Sequence, residues 1–281
     1  MRLARFGPAG SEKPCLVDAA GRRWDASSLV ADWAGATLAP ERLAAIAARG
    51  LDGLTEVPAD ARWGAPVVRP GKILGIGLNY ADHAAESGMP IPAEPIVFMK
   101  APNTVVGPYD EVLIPRGATK TDWEVELALV IGATARYCAS DAEARACIAG
   151  WCICNDISEC AFQLERGGTW DKGKCCDTFC PLGPWVATPD EITDPGRLGM
   201  WLDVNGQRMQ GGSTATMIFD PVTIVRYLSA FMTLEPGDVI TTGTPPGVGL
   251  GQKPPRFLGP GDVMELGIDH LGTQRQRCAA A

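Results

Sequence analysis

The sequence predicts an α+β fold that is mostly β, and three observations carry that expectation. From Lys72 onward, short runs of aliphatic and β-branched residues alternate with Gly- and Pro-containing turns. Few segments carry both a helix start and a helix stop. Asn205-Gly206, set between two strand-like runs, signals a type I′ hairpin turn. A chain of 281 residues, 46% hydrophobic and 21% charged, can bury one large core or a large core plus a small one.

Residues 1–66 read as a small N-terminal α/β unit. Arg2–Phe6 and Cys15–Asp18 are strand candidates, and Ala20-Gly21 a hairpin turn. Pro40–Arg49 predicts a helix, opened by Pro40 and Glu41, with Leu43, Ile46 and Ala47 on one face and Gly50 as its stop. Trp63–Gly71 reads as a linker into a second domain, residues 70–281. There the strand candidates are Lys72–Leu78, Ile96–Met99, Glu111–Ile114, Trp123–Ile131 and Trp151–Asn155, followed by Met200–Val204, Gln207–Gln210, Asp238–Thr242, Asp262–Ile268 and Gln274–Cys278. Two helices are marked. Ser140-Asp-Ala-Glu143 is a capping box with Gly150 as the stop, and Asp220-Pro221 starts a helix whose buried stripe is Ile224, Leu228 and Phe231.

Several function classes are excluded early. A net charge of −8 without a basic tract argues against nucleic acid. No 18-residue apolar span or secretory leader is visible, so a cytoplasmic protein without a membrane partner is expected. Eight of the ten cysteines lie between Cys138 and Cys180, but their spacings match no zinc or iron–sulfur pattern, and reduced, buried thiols are expected. Gly75-x-Gly77 lacks the rest of a dinucleotide fingerprint, with Tyr80 where a small residue is needed. Thr242–Gly249 lacks the Lys of a phosphate-binding loop.

The chemistry begins at Glu124 and Glu126, inside a run that otherwise reads as a buried strand. Two residues apart on a strand they share a face, roughly 6–7 Å apart. Burying such a pair is costly without a neutraliser, and a divalent cation supplies one. The alternative is an exposed edge-strand face paired with lysine. Asp156, at the end of an apolar strand, would complete a three-carboxylate cluster suited to Mg²⁺ or Mn²⁺. With only His83 and His270, an imidazole-rich metal site cannot form within one chain. His83 and Glu86 are i, i+3 neighbours if Asn79 or Asp82 caps a helix, an arrangement that suits a general base. Taken alone, a single histidine in a helix is more often a surface or core residue than a base. The Gly-x-Gly turn before it would let backbone approach a ligand, and Gly88–Pro92 reads as a flap. Lys172 and Lys174 sit on a turn that could meet a substrate oxyanion or simply face solvent.

These segments together resemble the fumarylacetoacetate hydrolase family. The resemblance runs through Gly77-Leu-Asn-Tyr-Ala-Asp-His83, Phe98-Met-Lys-Ala-Pro102, Asp122-Trp-Glu-Val-Glu-Leu127 and Asn155-Asp-Ile-Ser-Glu159. It continues through Lys172-Gly-Lys174 with Asp177, Val204–Arg208, Met217-Ile-Phe219, Pro236–Ile240 and Thr242–Gly249. It implies a rolled, mixed β-sheet core and a homodimer or homotetramer. It further implies Mg²⁺ or Mn²⁺ on Glu124, Glu126 and Asp156, catalytic His83, Glu86 and Lys174, and substrate contacts from Lys100, Gln163 and Thr244. Many relatives carry Arg where this chain has Cys160, which would shift contact with a substrate carboxylate to Lys174 or Lys100. Gln163–Gly168 and Gly267–Gln276 are similar to the branch that acts on 2,4-diketo-3-deoxy sugar acids. The implied activity is metal-dependent hydrolysis of the carbon–carbon bond of a 2,4-diketo acid to pyruvate and a carboxylic acid. Decarboxylation of a 3-oxo acid, isomerisation of a hydroxydienedioate and a ureidoglycolate lyase reaction are the alternatives on the same metal site. A non-catalytic metal-binding scaffold stands apart from all of these.

Overall fold

The computed structural model describes residues 1–281. Its centre is a mixed sheet in which Val125–Ile131 lies between Ile148–Asn155 and Val239–Thr241, with Ile73–Gly77 and then Ile96–Lys100 beyond the latter. Val239–Thr241 and Ile73–Gly77 run parallel, and the other pairs along this stretch are antiparallel. A second sheet, Gln207–Ser213, Gly199–Val204, Val263–Ile268, Gly272–Ala280 and Val112–Ile114, packs over part of the first. Asn205 and Gly206 turn its first hairpin at positive φ of 52° and 76°, as the sequence predicts. No helix is long and apolar enough to cross a membrane.

The central strands have two apolar faces because both are covered. Val125, Leu127, Leu129 and Ile131 join a large core with Trp151, Ile153 and residues of the second sheet. On the opposite face, Ala128 and Val130 pack with Ala149, Cys152, Cys154, Cys180 and Leu182. Here cysteine serves as a small hydrophobe, and all ten thiols are free. The strand alternation explains the charges: on the even face the sequence passes from Val130 and Ala128 to Glu126 and Glu124 as the strand leaves the core. Val125–Ile131 is paired on both sides, so an exposed edge-strand face for the two acids is ruled out.

Residues 1–66 extend this same sheet. Arg2–Phe6 pairs with Lys13–Val17 and, on its other side, with Cys180–Ala187, which in turn pairs with Ile148–Asn155. Trp33 is buried, and its Nε1 donates to the Ala4 carbonyl at 2.8 Å. Helix Pro40–Arg49 matches its expected bounds and buries Leu43 and Ile46, but Ala47 faces out.

Three local expectations need correction. The capping-box helix is Asp141–Ala146, with Ser140 Oγ accepting from the Glu143 amide at 3.3 Å. Gly150 is not its stop but lies inside Ile148–Asn155, where a Cβ would fall 2.4 Å from the Ala187 carbonyl oxygen. Close strand approach explains that glycine. Helix Pro221–Ser229 is capped by Asp220 and buries Ile224 and Leu228. Phe231 lies beyond its end and is 65% exposed. Helix Ala81–Glu86 has Tyr80 at its N-cap with no side-chain cap, in place of Asn79 or Asp82.

Deleting residues 1–66 would leave Cys180–Ala187 with an unpaired edge and strip the cover from Ala128, Val130 and Cys152. The truncated chain is expected to aggregate and to lack a cooperative thermal transition. A soluble, cooperatively melting fragment would contradict the shared core.

Candidate metal centre and catalytic cavity

Five strand ends meet at one end of the central sheet. Val125–Ile131 begins there, Ile148–Asn155 and Val239–Thr241 end there, Ile73–Gly77 runs toward it and Ile96–Lys100 starts from it. Backbone pairing continues one step past the strands, with the Asp156 amide donating to the Glu124 carbonyl at 2.9 Å. That step brings Glu124, Glu126 and Asp156 together. One carboxylate oxygen from each lies within 4.8 Å of the others.

Two ammonium groups partly neutralise the three carboxylates. Lys174 Nζ sits 2.9 Å from Glu124 Oε2 and 2.8 Å from Asp156 Oδ2, and 4.8 Å from the centre of the Phe98 ring. Lys100 Nζ lies 2.5 Å from Asp156 Oδ1 and donates to the Ile157 carbonyl at 3.0 Å. Burial alone would raise the Asp156 carboxyl, but the two lysines outweigh it and hold it below the usual range. Burial likewise opposes the charge on Lys174, yet Asp156 and Glu124 hold its ammonium protonated. Glu126 has only the Gly243 amide, donating at 2.7 Å. Burial, then Asp156 and Glu124, push its carboxyl well above the usual range.

The donor set fits a hard divalent cation. Three carboxylates against two ammonium groups leave one negative charge, and a 2+ ion turns the cluster to one positive charge, suited to an anionic ligand. Carboxylate oxygens without imidazole or thiolate are ligands for Mg²⁺ or Mn²⁺.

A cavity of about 630 Å³ opens over Glu124 and Glu126. His83 lines it, on helix Ala81–Glu86, with Nδ1 3.2 Å from Glu86 Oε2. That carboxylate fixes the proton on Nδ1 and leaves Nε2 able to accept one. Both Glu86 oxygens also accept from the Gly247 amide at 3.1 Å, which ties the dyad to the loop after Val239–Thr241. In that loop Thr244 lines the cavity, but its hydroxyl donates to the Val125 carbonyl at 2.9 Å and accepts from Gln210 Nε2 at 2.8 Å. Gln163, half-buried on helix Cys160–Leu164, and Lys174 also line the cavity.

The structure places some residues differently from the sequence reading. Lys100 does not line the cavity; it is fully buried behind Asp156, so its charge balances the cluster and does not reach a substrate. Gly75 does not line the cavity, and Gly77, which does, has a packing reason to be glycine. A Cβ on Gly75 would lie 2.1 Å from Phe98 Cζ, and one on Gly77 2.4 Å from Trp170 Cζ3, so both glycines make room for aromatic rings. The tail Gly267–Gln276 lies away from the cavity: Gln274 Nε2 donates to the Ile153 and Gly183 carbonyls, and Gln276 Nε2 to Pro108. Lys172, the other lysine of its turn, donates to the Arg166 carbonyl at 2.6 Å and faces solvent.

Asp122 joins the site although the sequence motifs do not single it out. It lines the cavity beside Cys160 and is buried, and its oxygens accept from the Gly249 and Leu250 amides at 2.6 and 2.7 Å. Burial pushes its carboxyl up to about 7. The signal was present in the alternation of acids at 122, 124 and 126. A second cleft of about 520 Å³ contains Arg5 and Arg62, but both are paired, with Asp32 and with Glu12 and Asp110.

Comparisons with known proteins bear on the fold and the family. Residues 72–279 match the family model described as fumarylacetoacetate (FAA) hydrolase C-terminal. A relative from Burkholderia cenocepacia (strain HI2424), provisionally named a hydrolase with no substrate given, is 55% identical over 99% of this chain and 98% of its own. A fumarylacetoacetate hydrolase from psychrophilic Exiguobacterium antarcticum superposes with a TM-score of 0.86 at 35% identity, covering 100% of both chains. Maleylpyruvate hydrolase from Sphingobium sp. SYK-6, solved with manganese(II) and pyruvate, gives a TM-score of 0.81 at 29% identity, again over 100% of both. Matched by the family model from residue 72 to 279 and by a 55% identical relative along nearly its full length, this chain belongs to the fumarylacetoacetate hydrolase family.

Proposed function

We propose that this chain hydrolyses the carbon–carbon bond of a 2,4-diketo acid with the help of Mg²⁺ or Mn²⁺, releasing pyruvate and a carboxylic acid. One observation carries the reading: an under-neutralised carboxylate cluster faces a His–Glu dyad across a single cavity. A neighbour of the same fold is a maleylpyruvate hydrolase solved with manganese(II) and pyruvate, which fits this choice of metal and product.

Glu124, Glu126 and Asp156 would hold the ion. Bound there, it would polarise the 2-oxo acid end of the substrate and offset the negative charge that grows as the bond breaks. Lys174 holds Glu124 and Asp156 in place and adds a positive charge beside the substrate carboxylate. His83 Nε2 takes a proton from water as the water oxygen bonds to the C4 carbonyl carbon, and Glu86 stabilises the imidazolium. The C3–C4 bond then breaks, its electron pair passes to C3, and His83 returns its proton there. The balance is one water consumed, with one pyruvate and one carboxylic acid formed. The sugar-acid branch is the narrower alternative: of the two segments that suggest it, Gln163 and Leu164 line the cavity, whereas the tail Gly267–Gln276 lies outside it.

Mn²⁺ at one hundred times its dissociation constant should stabilise the fold by about 2.7 kcal/mol, read as a rise in melting temperature. Glu126→Gln should abolish that rise while the metal-free variant melts no lower than the parent, since a crowded carboxyl has been removed. A metal-induced rise that survives the substitution would remove the cluster from consideration.

His83→Ala should keep the metal-induced rise and lower kcat on acylpyruvates by about 10²–10⁴-fold, followed by coupled pyruvate detection. Metal-dependent turnover that yields CO₂ or an isomer without pyruvate would favour the decarboxylase or isomerase reading. Unchanged turnover in His83→Ala would reject the dyad as the base.

A further inference from the structure

Phe98 and Trp170 form a continuous aromatic wall seated over two glycines. Gly75 and Gly77 lie two apart on one strand face, the face that also carries Phe98 and Lys100 through the neighbouring strand. Any side chain at either glycine would collide with a ring. The ring centres are 5.6 Å apart and inclined at 54°. The wall begins at the carboxylate cluster, where Lys174 Nζ sits over Phe98, and runs outward along the cavity. Farther out, Met89, Leu164 and Leu250 line the mouth and are 54%, 50% and 43% exposed. Apolar side chains gathered around a cavity and left in water mark a surface that a ligand covers.

We infer that this wall selects the acyl half of the substrate. On the hydrolase reading above, the chain prefers 2,4-diketo acids whose C4 carbon bears an uncharged, apolar group, aryl above all, over polyhydroxylated or distally charged ones. A π face recognises a planar apolar group and offers a hydroxylated chain no partner for the hydrogen bonds it loses to water. Lys253 lines the cavity from an exposed position and has no ion pair. It is the group that a distal carboxylate would use, and it defines the rival outcome.

The metal-loaded enzyme is assayed for kcat/KM on acetylpyruvate, benzoylpyruvate, fumarylpyruvate and a 2,4-diketo-3-deoxy sugar acid. Benzoylpyruvate is expected to be the best substrate, and Trp170→Ala to lower the benzoyl-to-acetyl ratio about tenfold. Calorimetry adds a readout without turnover: 2-oxo-4-phenylbutanoate, which lacks the C4 carbonyl and is not cleaved, should bind about tenfold tighter than 2-oxobutanoate. That gap should close in Trp170→Ala, or in Trp170→Gln if the alanine variant does not fold. A preference for the fumaryl or sugar-acid substrate, or a benzoyl-to-acetyl ratio that Trp170→Ala leaves unchanged, overturns the inference. If no diketo acid is cleaved, the hydrolase reading fails, and the calorimetric comparison still decides the role of the wall.

Discussion

Mutual repulsion among Glu124, Glu126 and Asp156 is the constraint around which the site is built. Like charges within 4.8 Å and largely out of water would cost several kcal/mol each. Lys100 and Lys174 remove part of that cost, and both converge on Asp156. Glu126 receives a single backbone amide and stays the least compensated of the three. The fold thus holds a cation site open with its own ammonium groups, leaving a deficit that one divalent ion reverses in sign.

The surrounding structure keeps that arrangement rigid. The two carboxylate-bearing strands are fixed on both sides by pairing and on both faces by core, which sets the backbone positions of Glu126 and Asp156. The loop that follows Val239–Thr241 couples the metal side to the base side. Its Gly243 amide binds Glu126, its Gly247 amide binds Glu86, and its Gly249 and Leu250 amides bind Asp122. One segment therefore registers the acid cluster against His83 through main-chain donors, which no side-chain substitution in the loop removes directly.

Much of this was legible in the sequence because it follows from alternation. Glu124 and Glu126 stand out where a doubly buried strand should be apolar, and Asp156 ends the neighbouring run. The hairpin at Asn205-Gly206 and the helix Pro40–Arg49 carry unambiguous turn and cap residues. What stayed hidden depends on contacts distant in the chain. Cys180–Ala187, central to the sheet, is masked by Pro181, Gly183 and Pro184, tolerated where its pairing with Ile148–Asn155 is irregular. Gly75 and Gly77 resemble a ligand-binding turn until Phe98 and Trp170 fill the space above them. Lys100 resembles a substrate lysine until its burial behind Asp156 is seen, and Phe231 follows the helical spacing but lies just past the end of the helix.

A crystal soaked with Mn²⁺ and oxalate would show whether the three carboxylates form one cation site facing the dyad. Anomalous scattering should place a single manganese ion in contact with oxygens of Glu124, Glu126 and Asp156, with oxalate completing its shell on the side of His83. An ion bound elsewhere, or a cluster in which Lys174 keeps both of its carboxylate contacts and no manganese enters, would contradict the account.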